Sequence, residues 1–255
     1  MKVHLAGLST KRYLIKDMLE TNPQILRNVH VLESFFSIRN DSKFMSQRHH
    51  FGHFLLDSGA FSFLNSYKGN LDWDRYITDY ADFINKYNVE HFFELDIDAI
   101  IGLERVEALR KRLEQLTGRK SIPVWHKNRG KEGFIKMCEE YPYVAIGGIV
   151  IKEIPRKVYE SAFPWFIKTA HDHGCKIHGL GYTDMEGVKK YRFDSVDSIT
   201  WLCCGRGGYV DVFFPHEGRT RNVGREIKGR LKIREAVKFS FLEWVKFIMY
   251  ADACL

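Results

Sequence analysis

Short apolar runs alternate with amphipathic stretches along most of this chain. Eight runs qualify as strands: 3–7, 52–56, 91–96, 122–126, 143–150, 176–180, 195–200 and 209–214. Six stretches between them have helical periodicity: 10–20, 73–87, 103–116, 131–140, 156–173 and 184–191. Apolar strands that alternate with helices are typical of a parallel sheet covered on both faces. Eight of them predict an α/β fold, a compact (β/α)8 TIM barrel, with a doubly wound open sheet as the alternative.

The character of the sequence changes at Gly218. Arginines and lysines follow in quick succession, and an apolar stripe then predicts a final helix over 231–251. We therefore expect a barrel domain over residues 1–217, and a basic segment with a C-terminal helix packed on the barrel over 218–255. At 255 residues the chain is long enough for one such barrel.

Charge and cysteine content restrict the partners and the compartment. The formal charge of +7 suits an anionic partner such as nucleic acid, although many soluble enzymes are mildly basic without binding one. The five cysteines have no disulfide-framework spacing, no secretion signal opens the chain, and no apolar run is long enough to cross a bilayer. We expect a cytoplasmic protein with reduced thiols and no membrane partner.

Three apolar runs end in an aspartate: Asp57, Asp96 and Asp197. The active site of a parallel barrel lies at the C-terminal ends of its strands, so these carboxylates would converge there. An aspartate at a strand end also forms turns or caps the following helix, as we expect of Asp98 and Asp194. Asp72 and Asp184 are expected to cap the helices that follow them. The shared context of the three aspartates favours an acidic site over three separate turns.

Glycines end two further strands, at Gly147–Gly148 and at Gly179 with Gly181. A strand end without side chains lets a flat ligand lie against the backbone, whose N–H and C=O groups can then contact its edge. The alternative is that these glycines relieve crowding. Two pairs on neighbouring strands favour the floor of a binding site.

The order of these motifs resembles that of the tRNA-guanine transglycosylases. Residues 57–61, Asp-Ser-Gly-Ala-Phe, are similar to the Asp-Ser-Gly-Gly-Phe motif of that family, and residues 145–149 resemble its Gly-Gly strand. Asp96 and Asp197 match its base-recognising and nucleophilic aspartates. Residues 56–61, 123–126 and 196–198 most resemble the divergent branch often carried by bacteriophages, the 7-deazaguanine DNA transglycosylases. A protein of that branch acts inside the host cell.

The resemblance implies a transferase that replaces guanine in DNA by a 7-deazaguanine, such as a cyano or aminomethyl form. Asp197 would attack C1′ of the nucleoside and form a covalent glycosyl-enzyme, and Asp57 would act as general acid/base or hold the base. Asp96 would accept hydrogen bonds from guanine. A duplex substrate would require the base to be flipped out. The implied base-binding residues are Asp96, Ser58, Gly59, Phe61, His126, Gly147, Gly148 and Gly179.

The sequence departs from the tRNA enzymes at their structural zinc site. The family pattern needs a Cys-X-Cys-X-X-Cys cluster, whereas Cys203 and Cys204 are adjacent here, so we expect no metal and no cofactor. Alternatives are the same exchange on tRNA, a small-molecule nucleosidase, or a non-catalytic nucleic-acid-binding protein; the oligomeric state stays open. For a nucleic acid, the expected phosphate contacts are Arg219, Arg221, Arg225 and Lys228.

Overall fold

The computed structural model describes residues 1–59, 72–203, 209–224 and 233–255. An eight-stranded parallel sheet, curled and flanked by helices, forms its centre. The strands of this sheet are β1 Lys2–Ala6, β2 His30–Ser34, β3 His53–Asp57, β4 His91–Phe92, β5 Val124–Trp125, β6 Tyr143–Ile146, β7 Lys176–Gly179 and β8 Ser195–Ser198.

Ten α-helices occur in the described residues, and none of these is both long and apolar enough to cross a membrane. They are α1 Arg12–Thr21, α2 Phe35–Ile38, α3 Ser42–Gln47, α4 Trp73–Lys86, α5 Asp98–Ile101, α6 Leu103–Thr117, α7 Gly130–Glu140, α8 Arg156–Asp172, α9 Met185–Lys190 and α10 Ile233–Cys254. The predicted caps are confirmed, because Asp72 accepts a hydrogen bond from the amide of Arg75 and Asp184 one from that of Gly187.

The strand order is β4-β3-β2-β1-β8-β7-β6-β5. A parallel bridge between Phe93 and Ile122 also pairs the chain just after β4 with the chain just before β5. These pairings describe a mixed α/β fold with a curled parallel sheet, which is compatible with a (β/α)8 barrel. The predicted alternation of strands and helices is confirmed at this level.

The sequence predicted eight strands but not the correct eight. It missed β2, and it assigned residues 209–214 to the barrel, whereas they form β9 (Tyr209–Phe214), paired antiparallel with β10 (Arg219–Gly224) in a separate hairpin. A four-residue turn, 215–218, joins the two strands and includes Gly218 at φ +60°. The first half of the predicted basic connection is therefore a strand, and β9 and β10 pair across the expected domain boundary.

Helix α10 packs on this hairpin and against β1. The indole N–H of Trp244 donates to Oδ2 of Asp211 over 2.8 Å, and the amide of Asp211 donates to Oγ of Ser240 over 3.0 Å. The N-terminal ammonium group donates to the carbonyl of Ala251. These contacts attach the C-terminal helix to the hairpin and to the N-terminus of the chain.

Alternate residues of the strands face the inside of the curled sheet. A small apolar cluster there comprises Leu32, Leu55, Phe93, Ile122, Val124, Tyr143 and Ala145. The larger hydrophobic core lies between the other face and the helices. Because side chains alternate along a strand, residues two positions beyond the small cluster, such as Asp57, face the inside again at the strand ends.

Candidate active site

A cavity of about 440 Å³ lies at the C-terminal ends of the parallel strands. Asp57 ends β3, Asp96 follows β4 and Asp197 lies on β8, and all three aspartates line this cavity. His126 and the pair Gly147–Gly148 line it as well. The structure thus brings the three strand-end aspartates of the sequence prediction together around a space large enough for a small molecule or a nucleobase.

Asp57 has an unusual protonation equilibrium. Burial of its carboxyl group, with the charges of Asp96 and Asp197, raises the pKa of Asp57 to about 7. The amide of Gly59 donates to its Oδ2 over 2.9 Å, which offsets part of that rise. Asp57 can therefore hold or release a proton close to neutral pH, as an acid-base group must.

Ser58 and Gly59 support Asp57 rather than lining the cavity. Ser58 is buried, and its carbonyl accepts a hydrogen bond from the hydroxyl of Tyr76 over 2.6 Å. Gly59 has φ +90°, and an added Cβ would come within 2.6 Å of Cβ of Phe36 and 2.9 Å of Oγ of Ser34. Gly59 thus allows the close approach of a neighbouring segment of this chain, and the expected base-binding role of these two residues stays a prediction.

His126 lies between two carboxylates. Its Nδ1 is 2.9 Å from Oε2 of Glu153, and its Nε2 is hydrogen-bonded to Oδ1 of Asp96. Burial alone would lower the pKa of His126. The hydrogen bonds and charges of Asp96 and Glu153 outweigh burial and raise this pKa to about 9. Both ring nitrogens are engaged, so this histidine orients Asp96, and its expected contact with a base stays a prediction.

Gly147 and Gly148 form part of the cavity wall, as expected. A Cβ on Gly147 would lie 2.7 Å from Cγ1 of Val124 and 2.8 Å from Nε2 of His126. Gly148 has φ +75°, and a Cβ there would collide with the carboxylate of Glu153. Larger residues at either position would displace the His126 network.

Gly179 and Gly181 differ in their position relative to the cavity. A Cβ on Gly179 would lie 3.3 Å from Tyr182 and 3.4 Å from Val196, so this glycine serves the packing of its strand and is not among the cavity-lining residues of the described chain. Gly181 does line the cavity, and its amide donates to Oδ1 of Asp197 over 2.6 Å. The sequence had placed both glycines at this strand end.

Asp197 is held on one oxygen. Its Oδ1 accepts the amide hydrogen bond of Gly181 and lies 3.2 Å from Nε2 of the buried His178. Among the described residues Oδ2 has no hydrogen-bond partner. A carboxylate fixed in this way has one oxygen left to react with a ligand in the cavity.

Two further acidic residues line the cavity. Asp98, expected to form a turn or cap, pairs with Arg129 instead. Glu33 was missed. The amide and hydroxyl of Ser9 donate to its two oxygens over 2.6 Å and 2.8 Å, and burial raises the pKa of Glu33 to about 7. Glu33 lies on β2, the strand that the sequence did not predict. A charged residue within a short run that also contains a histidine and a serine gave no strand signal.

The two described residues of the expected phosphate-binding set are engaged in ion pairs. Nε of Arg219 lies 2.7 Å from Oε2 of Glu217, and Arg219 also pairs with Glu186. Arg221 pairs with the same Glu217. Neither arginine lines the cavity. Three residues expected at the site, Phe61, Arg225 and Lys228, lie outside the described part of the chain.

Comparison with known proteins adds no further constraint. In the described residues, no three or more His, Cys, Asp or Glu side chains are grouped so that they could hold a metal ion. A scan of the sequence against protein-family models gave no match, and a search of curated proteins gave none either. Function is therefore inferred from the residues of the cavity.

Proposed function

We propose that this protein is a nucleobase-exchanging glycosyltransferase that replaces guanine by a 7-deazaguanine in DNA through a covalent intermediate on Asp197. The observation that carries the proposal is the convergence of Asp57, Asp96 and Asp197 from three strands on one cavity with Gly147–Gly148 in its wall. The motif resemblance gives each of these residues a role. Their arrangement supports that assignment because each carboxylate has a different environment.

In the proposed first step, an oxygen of Asp197 attacks C1′ of the target nucleoside. The bond from C1′ to N9 of guanine breaks, its electron pair leaves with guanine, and Asp57 supplies the proton that neutralises the leaving base. The nearby carboxylate of Asp197 stabilises the positive charge that develops on the sugar. The pKa of Asp57, raised to about 7 by burial, suits this proton transfer.

In the second step the incoming 7-deazaguanine displaces Asp197. Its N9 gives a proton to Asp57 and forms the new bond to C1′, so that Asp197 leaves as a carboxylate and no other reactant is consumed. Two inversions at C1′ retain the configuration. Asp96, oriented by His126, would accept the hydrogen bonds of the purine edge, and the glycines would contact its face or edge through the backbone.

The proposal includes a closed (β/α)8 barrel as the scaffold. The bridge from Phe93 to Ile122 supports closure, because it joins the two ends of the strand order. In a closed barrel every strand has a neighbour on both sides, so the three aspartates would be held in fixed relative positions. Pre-organised charges of this kind provide much of the catalytic effect in enzymes.

One observation favours a second candidate, a small-molecule nucleosidase. Arg219 and Arg221 are paired with glutamates, so these two arginines offer less charge for a nucleic-acid backbone than the sequence suggested. In a nucleosidase, water would replace the incoming base in the second step, and the same aspartates would act. Exchange on tRNA remains the third alternative.

A base-exchange assay separates these candidates. Labelled guanine or a labelled 7-deazaguanine is incubated with duplex DNA, single-stranded DNA, tRNA and free nucleosides. We expect label to enter DNA with the wild-type protein and not with Asp197→Ala. Asp172→Asn, an exposed position on α8 that pairs with Lys168, is the matched control and retains exchange. Cleavage of nucleosides without labelling of any nucleic acid would overturn the proposal.

A further inference from the structure

A chain of hydrogen bonds continues from Asp197 into the interior of the sheet. Nε2 of His178 lies 3.2 Å from Oδ1 of Asp197, and Nδ1 of His178 lies 2.5 Å from Oγ of Ser195. The hydroxyl of Tyr143 is hydrogen-bonded to the same Oγ. The side chains of His178, Ser195 and Tyr143 are all buried. The sequence analysis assigned none of these three residues a role.

One arrangement of protons gives each contact in this hydrogen-bond chain one donor and one acceptor. An ionised carboxylate at Asp197 can only accept, so Nε2 of His178 carries the proton, and in the tautomer that has this proton alone Nδ1 accepts. Ser195 then donates to Nδ1 and accepts from the hydroxyl of Tyr143, whose pKa is raised by burial so that it keeps its proton. The opposite tautomer would direct a lone pair of the imidazole at a carboxylate oxygen.

The ring of His178 is fixed from its sides as well. The ring of Phe93 lies 5.4 Å from it and that of His4 lies 5.9 Å from it, measured between centroids. Nδ1 of His4 is 3.2 Å from the carbonyl of Val196, an acceptor, so this ring has its own anchor. The imidazole of His178 therefore has little freedom to turn away from Asp197.

We propose that His178 is a positioning residue for Asp197, held as its Nε2–H tautomer by Ser195 and Tyr143. This inference rests on the proposed function. Together with the amide of Gly181, His178 occupies Oδ1 and leaves Oδ2 as the attacking oxygen. An oriented donor on one oxygen keeps the nucleophile in a single rotamer and stays in place after the other oxygen is glycosylated.

The first test does not depend on catalysis. In protein labelled with ¹⁵N-histidine, the nitrogen shifts and couplings of His178, assigned with the variant His178→Gln, report its tautomer. We expect a proton on Nε2 and a lone pair on Nδ1. A proton on Nδ1, alone or together with one on Nε2, would overturn the inference. His173, an exposed residue at the end of α8, is the internal reference.

The second test uses matched variants in the exchange assay. His178→Leu is expected to lower kcat roughly 10- to 100-fold with KM unchanged, as loss of an orienting partner does elsewhere. His178→Gln, whose amide nitrogen can donate to Asp197, is expected to restore most of kcat. Tyr143→Phe is expected to lower kcat roughly 2- to 10-fold, the value of one hydrogen bond. Tyr141→Phe is the control, because Tyr141 is a buried tyrosine that does not belong to this hydrogen-bond chain.

The outcomes are distinguishable from failure of the proposed function. If His178→Leu fails to fold, the tautomer and Tyr143→Phe still decide the question. If no substrate shows base exchange, the proposed function fails while the tautomer is still measured. Equal kcat in His178→Leu and wild type, with exchange intact, would overturn the inference alone.

Discussion

Oε1 of Glu94 lies 2.8 Å from a guanidinium nitrogen of Arg129, and the two side chains are 0% and 3% exposed. Arg110 pairs with the other oxygen of Glu94, and Nε of Arg129 lies 3.1 Å from Asp98. Glu94 and Asp98 flank Asp96 in the sequence. This buried network therefore fixes the segment that carries Asp96 into the cavity.

Removing the arginine of this network should be costly. We expect Arg129→Met to lower the free energy of unfolding by about 3–5 kcal/mol, because it leaves the buried Asp98 without its cationic partner and Glu94 with Arg110 alone. Arg105→Met is the control, since Arg105 pairs with Asp74 at the surface and such a pair contributes less than about 1 kcal/mol. Chemical denaturation measures both, and equal losses would contradict the assignment.

The raised pKa of Asp57 predicts a pH effect on stability. Its folded-state pKa of about 7 lies above the ordinary value of 3.8, so the folded state binds the proton more tightly. That contribution is fully present below about pH 4 and is lost as the pH rises through 7. We expect Asp57→Asn to match wild type near pH 4 and to be more stable above pH 7, in denaturation curves taken across this range. Asp172→Asn should follow wild type throughout.

His126 predicts a dependence at higher pH. Its pKa is raised from 6.5 to about 9, so the stabilisation is complete below pH 6.5 and is lost as the pH rises through 9. We expect His126→Gln to remove this dependence, with a loss on the order of 3 kcal/mol at pH 6 and little at pH 10. Thermal denaturation at several pH values measures it. A parallel displacement at all pH values would argue against a charged His126.

The turn after Asp57 predicts a glycine requirement. Gly59→Ala combines a positive φ with a close approach to Phe36, so we expect a loss of roughly 2–5 kcal/mol of stability. Gly118 also has a positive φ, +65°, but an added Cβ there meets nothing within 4 Å, so we expect Gly118→Ala to cost about 1 kcal/mol. Similar losses at the two positions would mean that Phe36 yields easily.

The sequence predicted the convergence of the aspartates because a strand that ends in Asp is a local signal. Asp57, Asp96 and Asp197 each follow apolar residues, and the parallel topology inferred from strand and helix alternation brings such ends together. The helix limits and the caps at Asp72 and Asp184 were predicted for the same reason: amphipathic periodicity and capping depend on neighbouring residues.

Features that depend on distant contacts could not be predicted. Strand β2 has a buried glutamate satisfied by Ser9, 24 residues away in the sequence, so its polarity hid it. Residues 209–214 are apolar on account of α10, which packs on their hairpin. The assignment of roles between Gly179 and Gly181, and the pairing of His126 with Glu153, needed the three-dimensional arrangement.

Capture of the covalent intermediate is the sharpest test of Asp197 as the nucleophile. DNA labelled in its sugar is incubated with the protein without an incoming base, and the products are separated under denaturing conditions and digested for mass spectrometry. We expect a protein–DNA adduct on the peptide that contains Asp197, absent in Asp197→Ala, present in Asp172→Asn and discharged by added 7-deazaguanine. An adduct that persists in Asp197→Ala, or base exchange that proceeds in that variant, would contradict that role.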